Sequence, residues 1–186
     1  MNKELGHVVI LLAHPNLRES SANKELLDAV KELDNVSVYN LYDEKDETFN
    51  ADEWSRILTE ASALIFQFPF HWMSAPYMLK RWEDEVLTQL ARTPSVAGKP
   101  LMVVVTTGSE SDAYRSGGKN RFTVDELLRP YQASAILSGM VWQTPLIIYG
   151  TGNDDPAKNI AQGAIQYRKA VDELLRDKSL MSVVSW

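Results

Sequence analysis

The feature that most constrains the fold is a regular alternation of short apolar runs with segments of helical periodicity. The apolar runs predict five strands, at Val8–Ala13, Val36–Leu41, Ala63–Phe68, Leu101–Thr106 and Val141–Tyr149. Helical spacing predicts helices at about Asn23–Leu33, Asp52–Ser62, Pro76–Leu87, Thr123–Leu137 and Pro156–Arg176. Pro130 predicts a kink or a break in the fourth of these helices. Together the pattern predicts an α/β fold: a doubly wound, five-stranded parallel sheet with helices on both faces.

Length and composition narrow the class of protein. The chain has 186 residues, 45% of them hydrophobic, which is enough for a single domain over residues 1–186. The net charge of −6 and the lack of a basic run argue against nucleic-acid binding. Without cysteine, and with three scattered histidines, we expect neither a thiolate nucleophile nor a metal site. Because no long apolar run or signal-peptide pattern is present, we expect a cytoplasmic protein that is not inserted in a membrane.

The loop over residues 13–23 has the composition of an anion site. In a doubly wound sheet, ligands lie beyond the carboxyl ends of the strands, beside the switch point between the first and third strands. This loop joins a strand to a helix start and carries Arg18 with three short polar side chains, Ser20, Ser21 and Asn23, which suits a phosphate. It contains neither a Gly-x-Gly-x-x-Gly nor a Gly-Lys-Ser/Thr motif. The alternative is that a serine here only caps the helix.

The loop after the third predicted strand, Pro69–Pro76, is stiffened by prolines and carries large apolar side chains. Phe70, Trp72 and Met73 fall where a loop is expected to be exposed, which is costly unless they cover a flat apolar ligand or a partner surface. We therefore predict that this loop contacts an aromatic ring. Core packing is the alternative for Trp72.

The loop after the fourth predicted strand, Thr106–Asn120, is rich in small residues. Small residues let backbone amides approach the polar edge of a ring closely. Gly117 and Gly118 predict that part of the loop moves, and Tyr114 is a candidate phenolic donor to a substrate or cofactor. The alternatives are a flexible solvated loop and an ordinary surface tyrosine.

Three motifs, in order along the chain, resemble one known family. They are Ala13-His14-Pro15 with Ser20-x-Ala22-Asn23-Lys24; Phe68–Pro76 followed by Leu79-Lys80-x-Trp82-x-Asp84-x-Val86; and Thr106-Thr107-Gly108. This pattern is similar to the flavodoxin-like NAD(P)H:quinone oxidoreductases, which include DT-diaphorase, bacterial modulators of drug activity and the ancillary flavoproteins of potassium-efflux systems. The resemblance extends to the Trp142-Gln143-Thr144-Pro145 segment.

The resemblance implies a bound flavin, FMN or alternatively FAD, with NAD(P)H as co-substrate. We favour FMN, because a loop lined by hydroxyls suits a terminal phosphate. The phosphate-binding positions of the family fall on the first loop, and its ring-binding positions fall on the other two. The implied flavin contacts are His14, Arg18, Ser20, Ser21, Ala22, Asn23, Pro69, Phe70, His71, Trp72, Met73, Thr106, Thr107, Gly108, Ser109 and Tyr114.

The resemblance also implies a reaction: two-electron ping-pong hydride transfer from NAD(P)H to a quinone-like acceptor, in a homodimer. Tyr114 falls at the substrate-facing tyrosine of the family. Asn120 stands where the animal enzymes place a histidine, so His71 is a substitute candidate for a catalytic role. The chain also lacks the Gly/Ala/Tyr-rich segment that follows the third helix in relatives, which implies a more open substrate pocket.

Two other functions stay open. One is a regulatory flavoprotein that docks on a potassium-efflux transporter. The other is an electron carrier like flavodoxin, although the first loop differs from the phosphate loop of flavodoxins. For the dimer interface, the apolar candidates are Trp72, Met73, Trp82 and the Leu180–Trp186 tail, with core packing as the alternative for Trp82.

Overall fold

A parallel sheet with strand order β2-β1-β3-β4-β5 organises the chain. The structure, a computed structural model, describes residues 6–44 and 48–176, and the Leu180–Trp186 tail lies outside these residues. The strands are β1 Val8–Leu12, β2 Val36–Asn40, β3 Ala63–Pro69, β4 Pro100–Thr106, β5 Val141–Trp142 and β6 Leu146–Ile148. The order reverses between β1 and β3, both parallel neighbours in register from Val8↔Ala63 to Leu12↔Gln67. The prediction of an α/β doubly wound parallel sheet is confirmed.

The three central strands, β1, β3 and β4, are buried because their sequences are almost entirely apolar. β1 and β4 are buried along their whole length, and β3 is buried up to its last residue, as expected of strands covered on both faces. The edge strand β2 is half-buried throughout. The carboxyl ends of the three buried strands therefore meet at the centre of one sheet edge.

The last predicted strand, Val141–Tyr149, is wrong as a continuous element. It forms two short pieces, β5 and β6, which both pair with β4. The interruption contains Pro145, which has no N–H group for a ladder hydrogen bond.

The helices cover both faces of the sheet. They are α1 Ala22–Asp28, α2 Ala51–Glu60, α3 Tyr77–Trp82, α4 Thr88–Leu90, α5 Val124–Leu127, α6 Arg129–Ser138 and α7 Ala157–Arg176. The predicted helix Pro76–Leu87 is helical from Tyr77 to its end, because α3, a π-helical turn over Glu83–Leu87 and α4 follow one another without a break. The break predicted from Pro130 is present, since α5 ends at Leu127 and Pro130 lies in the first turn of α6.

Two apolar clusters, one on each face of the sheet, form the core. Trp82 is completely buried and packs edge-on against Trp54 and Phe66, with ring centroids 5.4 and 5.8 Å away. Trp82 therefore belongs to the core, and its placement in a dimer interface was wrong. Among the described residues, no helix combines the length and the apolar character that crossing a membrane requires.

Candidate functional site

The three loops singled out in the sequence meet at the carboxyl edge of the sheet. The Ala13 N–H donates to the carbonyl of Gln67 at 2.9 Å, which joins the ends of β1 and β3. The Phe70 N–H donates to the carbonyl of Thr106, also at 2.9 Å, which joins the β3 loop to the end of β4. The site is thus a composite of three loops tied together by backbone hydrogen bonds.

A buried hydrogen-bond network fixes the first loop against β3 and β4. The Asn23 side-chain amide donates to Thr106 Oγ1 at 2.9 Å. Gln67 Nε2 donates to the Asn23 carbonyl at 3.0 Å, and the Tyr167 hydroxyl donates to Gln67 Oε1 at 3.2 Å. All four side chains are almost fully buried. Each is satisfied by a partner, so the network defines one arrangement of α1, β3, β4 and α7.

This network turns the Asn23 side chain away from the proposed ligand. The sequence suggested that its side chain faces the ligand, but Asn23 is only 1% exposed and its amide is engaged by Thr106. Gln67 and Tyr167 were missed. A glutamine inside an otherwise apolar strand was the available signal for Gln67, because a buried polar side chain needs partners.

The rest of the first loop presents polar groups to solvent. Arg18 and Ser21 are exposed, and the backbone N–H groups of Ser21 and Ala22 have no acceptor within the described parts of the chain. The Ser20 oxygen accepts the Asn23 N–H at 3.1 Å, so Ser20 does cap the first turn of α1. Ser21 makes no side-chain cap bond. The capping alternative therefore holds for Ser20 and not for Ser21.

His14 is a neutral donor at this loop. Its Nδ1 accepts the Asn16 N–H at 3.1 Å, which leaves Nε2 to carry the hydrogen. Partial burial, with a smaller contribution from the nearby His71, lowers the pKa of His14 below its ordinary value.

The β3 loop makes a tight turn that displays Trp72. His71 and Ser74 exchange backbone hydrogen bonds at 2.8 and 3.1 Å, so Trp72 and Met73 occupy the two central positions. Both have positive φ, 49° and 63°, a conformation that costs a side-chain-bearing residue about 1–2 kcal/mol. Trp72 is 100% exposed and Met73 is 42% exposed. The core-packing alternative for Trp72 was wrong, and the turn holds an aromatic ring out at the carboxyl edge of the sheet.

Phe70 and Tyr114 do not project into solvent. They pack with each other at a centroid distance of 6.3 Å, and Tyr114 also packs on Tyr149 at 5.9 Å. Tyr114 is 7% exposed. Burial raises the pKa of the Tyr114 phenol, while a hydrogen bond with the Thr107 side chain lowers it to a smaller extent. The alternative of an ordinary surface tyrosine was wrong, because Tyr114 is buried between Phe70 and Tyr149.

The β4 loop is ordered by its own packing. Thr106 and Thr107 are buried, and the Thr107 N–H donates to the Ile148 carbonyl at 2.9 Å. A Cβ on Gly118 would lie 2.4 Å from the Asp112 carbonyl oxygen, so this glycine permits close backbone packing, and movement of the loop at Gly117 and Gly118 stays a prediction. At Gly108 a Cβ would meet nothing within 4 Å, so the backbone there is open to a ligand.

A cavity of about 730 Å³ lies beside the β4 loop. Gly108 and Ser109 line it together with Gly152 and Asn153 from the segment after β6, and Arg115 and Lys119 stand at its wall. This volume is in the range of small-molecule sites. Residues of the first loop and of the Trp72 turn do not line it, so it extends the site on the side of β4.

The residues present fit a flavin. The exposed donors of the first loop suit a phosphate, the Trp72–Met73 turn offers apolar surface, and the open backbone at Gly108 admits a polar ring edge. Within residues 6–44 and 48–176, no cluster of His, Asp and Glu has the arrangement needed to hold a metal ion.

Comparisons with known proteins agree with this fit. Residues 6–171 match a family described as having a flavodoxin-like fold. The glutathione-regulated potassium-efflux system ancillary protein KefG of Cronobacter sakazakii is 34% identical over 179 residues, which cover 94% of this chain and 97% of that protein. General stress protein 14 of Treponema denticola, solved in complex with FMN, superposes with a TM-score of 0.82 at 27% identity and covers 90% of this chain and 99% of its own. An NADPH-quinone reductase from P. pentosaceus gives a TM-score of 0.75 at 27% identity, over 88% of this chain and 96% of that chain.

Proposed function

The chain belongs to the flavodoxin-like fold family, and from this premise we propose that it is an FMN-dependent NAD(P)H oxidoreductase that reduces quinones by a two-electron ping-pong reaction. The observation that carries the proposal is the meeting of a donor-lined loop, an exposed aromatic turn and an open glycine backbone at the switch point of the sheet. Similarity to an FMN complex and to an NADPH-quinone reductase supports the same chemistry.

The proposed binding residues divide between the two ends of FMN. Backbone and side-chain donors of the first loop, with the Arg18 cation, would hold the phosphate. The Pro69–Met73 and Thr106–Ser109 segments would hold the ring, and Asn23 would act from behind by fixing the loop to Thr106. FMN, when bound, supplies hydride acceptance and two-electron donation, which no side chain of this chain can perform.

The chain's own groups orient the reactants. His14 offers an uncharged N–H rather than a cation, because its pKa is lowered. His71 is exposed at the Trp72 turn, with room to reach a substrate, and is the stronger candidate for a catalytic residue. Tyr114 is the weaker candidate, since its phenol keeps its proton but packs against Phe70 and Tyr149.

We further propose a homodimer in which Trp72 and Met73 face the partner subunit. Fully exposed aromatic surface on a single turn is costly in water and is relieved by association. Sedimentation of the wild type beside Trp72→Ser tests this: the wild type should sediment as a dimer and the variant should dissociate more readily. A monomeric wild type contradicts it.

Purified protein tests the cofactor and the reaction separately. A yellow protein that releases FMN on denaturation, identified by chromatography against FAD, supports the cofactor. Oxidation of NADH or NADPH that depends on added menadione supports the reaction. A colourless protein that apo-reconstitution cannot load with FMN or FAD overturns the proposal.

A regulatory role is the second candidate, because KefG, an ancillary protein of a potassium-efflux system, matches over nearly its whole length. In that case the flavoprotein acts through contact with a transporter. The two functions separate in a variant such as His71→Ala: a regulator should keep its effect on potassium efflux after quinone reduction is lost. Efflux that does not respond to the protein excludes this role.

A further inference from the structure

The Trp72 turn depends on contacts from outside its own loop. Two backbone hydrogen bonds between His71 and Ser74 close it, and both central residues adopt the left-handed conformation that side chains disfavour. An isolated two-stranded hairpin is only marginally stable in water. The order of this turn must therefore come from the element that packs behind it.

That element is α6, through the hydroxyl of Tyr131. The Ala75 N–H donates to the Tyr131 oxygen at 2.8 Å, and Ser74 Oγ lies 2.8 Å from the same oxygen. Tyr131 is separated from these two residues by more than fifty positions in the sequence. One phenol thus holds two consecutive residues at the C-terminal end of the turn.

Either hydroxyl could donate the second hydrogen bond, between Tyr131 and Ser74. Tyr131 is 6% exposed, and burial is the main cause that raises the pKa of its phenol, which therefore keeps its hydrogen at neutral pH. Because the oxygen already accepts from Ala75, we assign the phenol hydrogen to Ser74 Oγ. The hydroxyl is then satisfied both as donor and as acceptor.

The support behind this hydroxyl is rigid. The Tyr131 ring packs on Phe68 of β3, with centroids 5.2 Å apart. Its backbone N–H donates to the Leu128 carbonyl at 3.1 Å, and Pro130 fixes the first turn of α6. The hydroxyl therefore has a defined position relative to the sheet edge.

We propose that Tyr131 is the positioning residue of the site: its hydroxyl holds the Trp72–Met73 turn in the conformation that receives the flavin ring. This inference rests on the proposed function, since it takes the turn as a place where FMN binds. Tyr131 acts through Ser74 and Ala75 on the turn. A protein whose binding conformation is only partly populated binds its ligand more weakly in proportion to that population. Loss of the hydroxyl should therefore weaken FMN binding while the ring still fills the core.

The test is Tyr131→Phe, which removes the oxygen and keeps the ring on Phe68. We expect the dissociation constant of FMN, measured by titration of apoprotein, to rise about five- to tenfold, because the variant loses both hydrogen bonds to the turn. Amide hydrogen exchange over residues 70–78 of the apoprotein should become faster. The matched control is Tyr39→Phe, since Tyr39 lies on the edge strand and its phenol has no hydrogen bond within the described residues. The control should change neither quantity.

A second variant separates positioning from general destabilisation. Ser74→Ala removes one of the two bonds and should weaken FMN binding less than Tyr131→Phe. In the Tyr131→Phe background it should add little, because both changes act on one contact. Equal FMN affinity and equal exchange in wild type and Tyr131→Phe overturn the inference, as does full additivity of the two variants. If the wild type binds no FMN, the proposed function fails, and exchange rates alone then decide whether Tyr131 orders the turn.

Discussion

The buried Tyr167–Gln67 hydrogen bond gives the sharpest prediction about stability. Tyr167→Phe keeps the ring but leaves Gln67 Oε1 without its donor at a fully buried position. An unsatisfied buried acceptor costs about 1–3 kcal/mol. In a domain of this size each kcal/mol lowers the melting temperature by about 2–4 °C, so we expect a decrease of about 2–12 °C. Urea unfolding of the apoprotein at constant m-value measures the free energy directly.

A double variant tests the reasoning behind that magnitude. Gln67→Leu alone leaves the Tyr167 hydroxyl without its acceptor and removes the side-chain bond to the Asn23 backbone carbonyl. Combined with Tyr167→Phe, it removes donor and acceptor together, so the pair should lose less than the sum of the single variants, by about 1 kcal/mol. Tyr39→Phe, the control, should stay within about 0.5 kcal/mol of the wild type. A wild-type stability for Tyr167→Phe, or additivity of the pair, refutes the assignment of the network.

Three further predictions concern titration and backbone packing. Burial lowers the pKa of Lys99 from 10.5 to about 8, so between these pH values the unfolded chain binds more protons than the folded chain. The free energy of unfolding should therefore rise with pH from about 8 towards 10. Lys99→Met should flatten that rise, as measured by urea unfolding at pH 7, 8 and 9. Burial raises the pKa of Glu83 from 4.5 to about 6, so between these pH values the folded chain binds more protons than the unfolded chain. The free energy of unfolding should therefore fall as pH rises through this window. In urea unfolding, Glu83→Gln should be more stable than the wild type by up to about 2 kcal/mol at pH 7 and equally stable at pH 4. Gly118→Ala should destabilise the apoprotein by about 1–3 kcal/mol through its clash with the Asp112 carbonyl, whereas Gly108→Ala should leave thermal unfolding unchanged and weaken FMN binding.

Most of the fold was predictable because its central strands are unambiguous. β1 and β4 were predicted to within one residue at each end, since a continuous apolar run bounded by polar loops has one good placement in a parallel sheet. The fifth strand was predicted as one continuous element, because apolar periodicity carries no information about the ladder hydrogen bond that is lost at Pro145. The third helix was predicted close to its bounds, but its spacing does not distinguish the π-helical turn after Trp82 from α-helix.

The site was predictable as a place and less so as a set of contacts. Strand order predicted that the three loops meet at one place, and they do, because the carboxyl ends of β1, β3 and β4 lie at one edge of the sheet. Which side chains face the ligand depends on packing across the sheet, and the sequence of a single loop does not contain that information. Asn23 faces inward because Gln67 and Thr106 offer it partners, and those partners lie 44 and 83 positions away in the sequence.

The same packing explains why the exposed turn and the buried network serve one site. Asn23 and its partners fix the first loop at the point where a phosphate would approach, and each buried side chain of this network has a hydrogen-bond partner. The Trp72 turn instead leaves its aromatic ring in solvent and holds two residues in a strained conformation. A monomer without a ligand gains nothing from that strain, and such outliers persist where a bound partner uses them. Strain and exposure at the Trp72 turn therefore favour a bound partner on this side of the site, either the ring of a flavin or a second subunit.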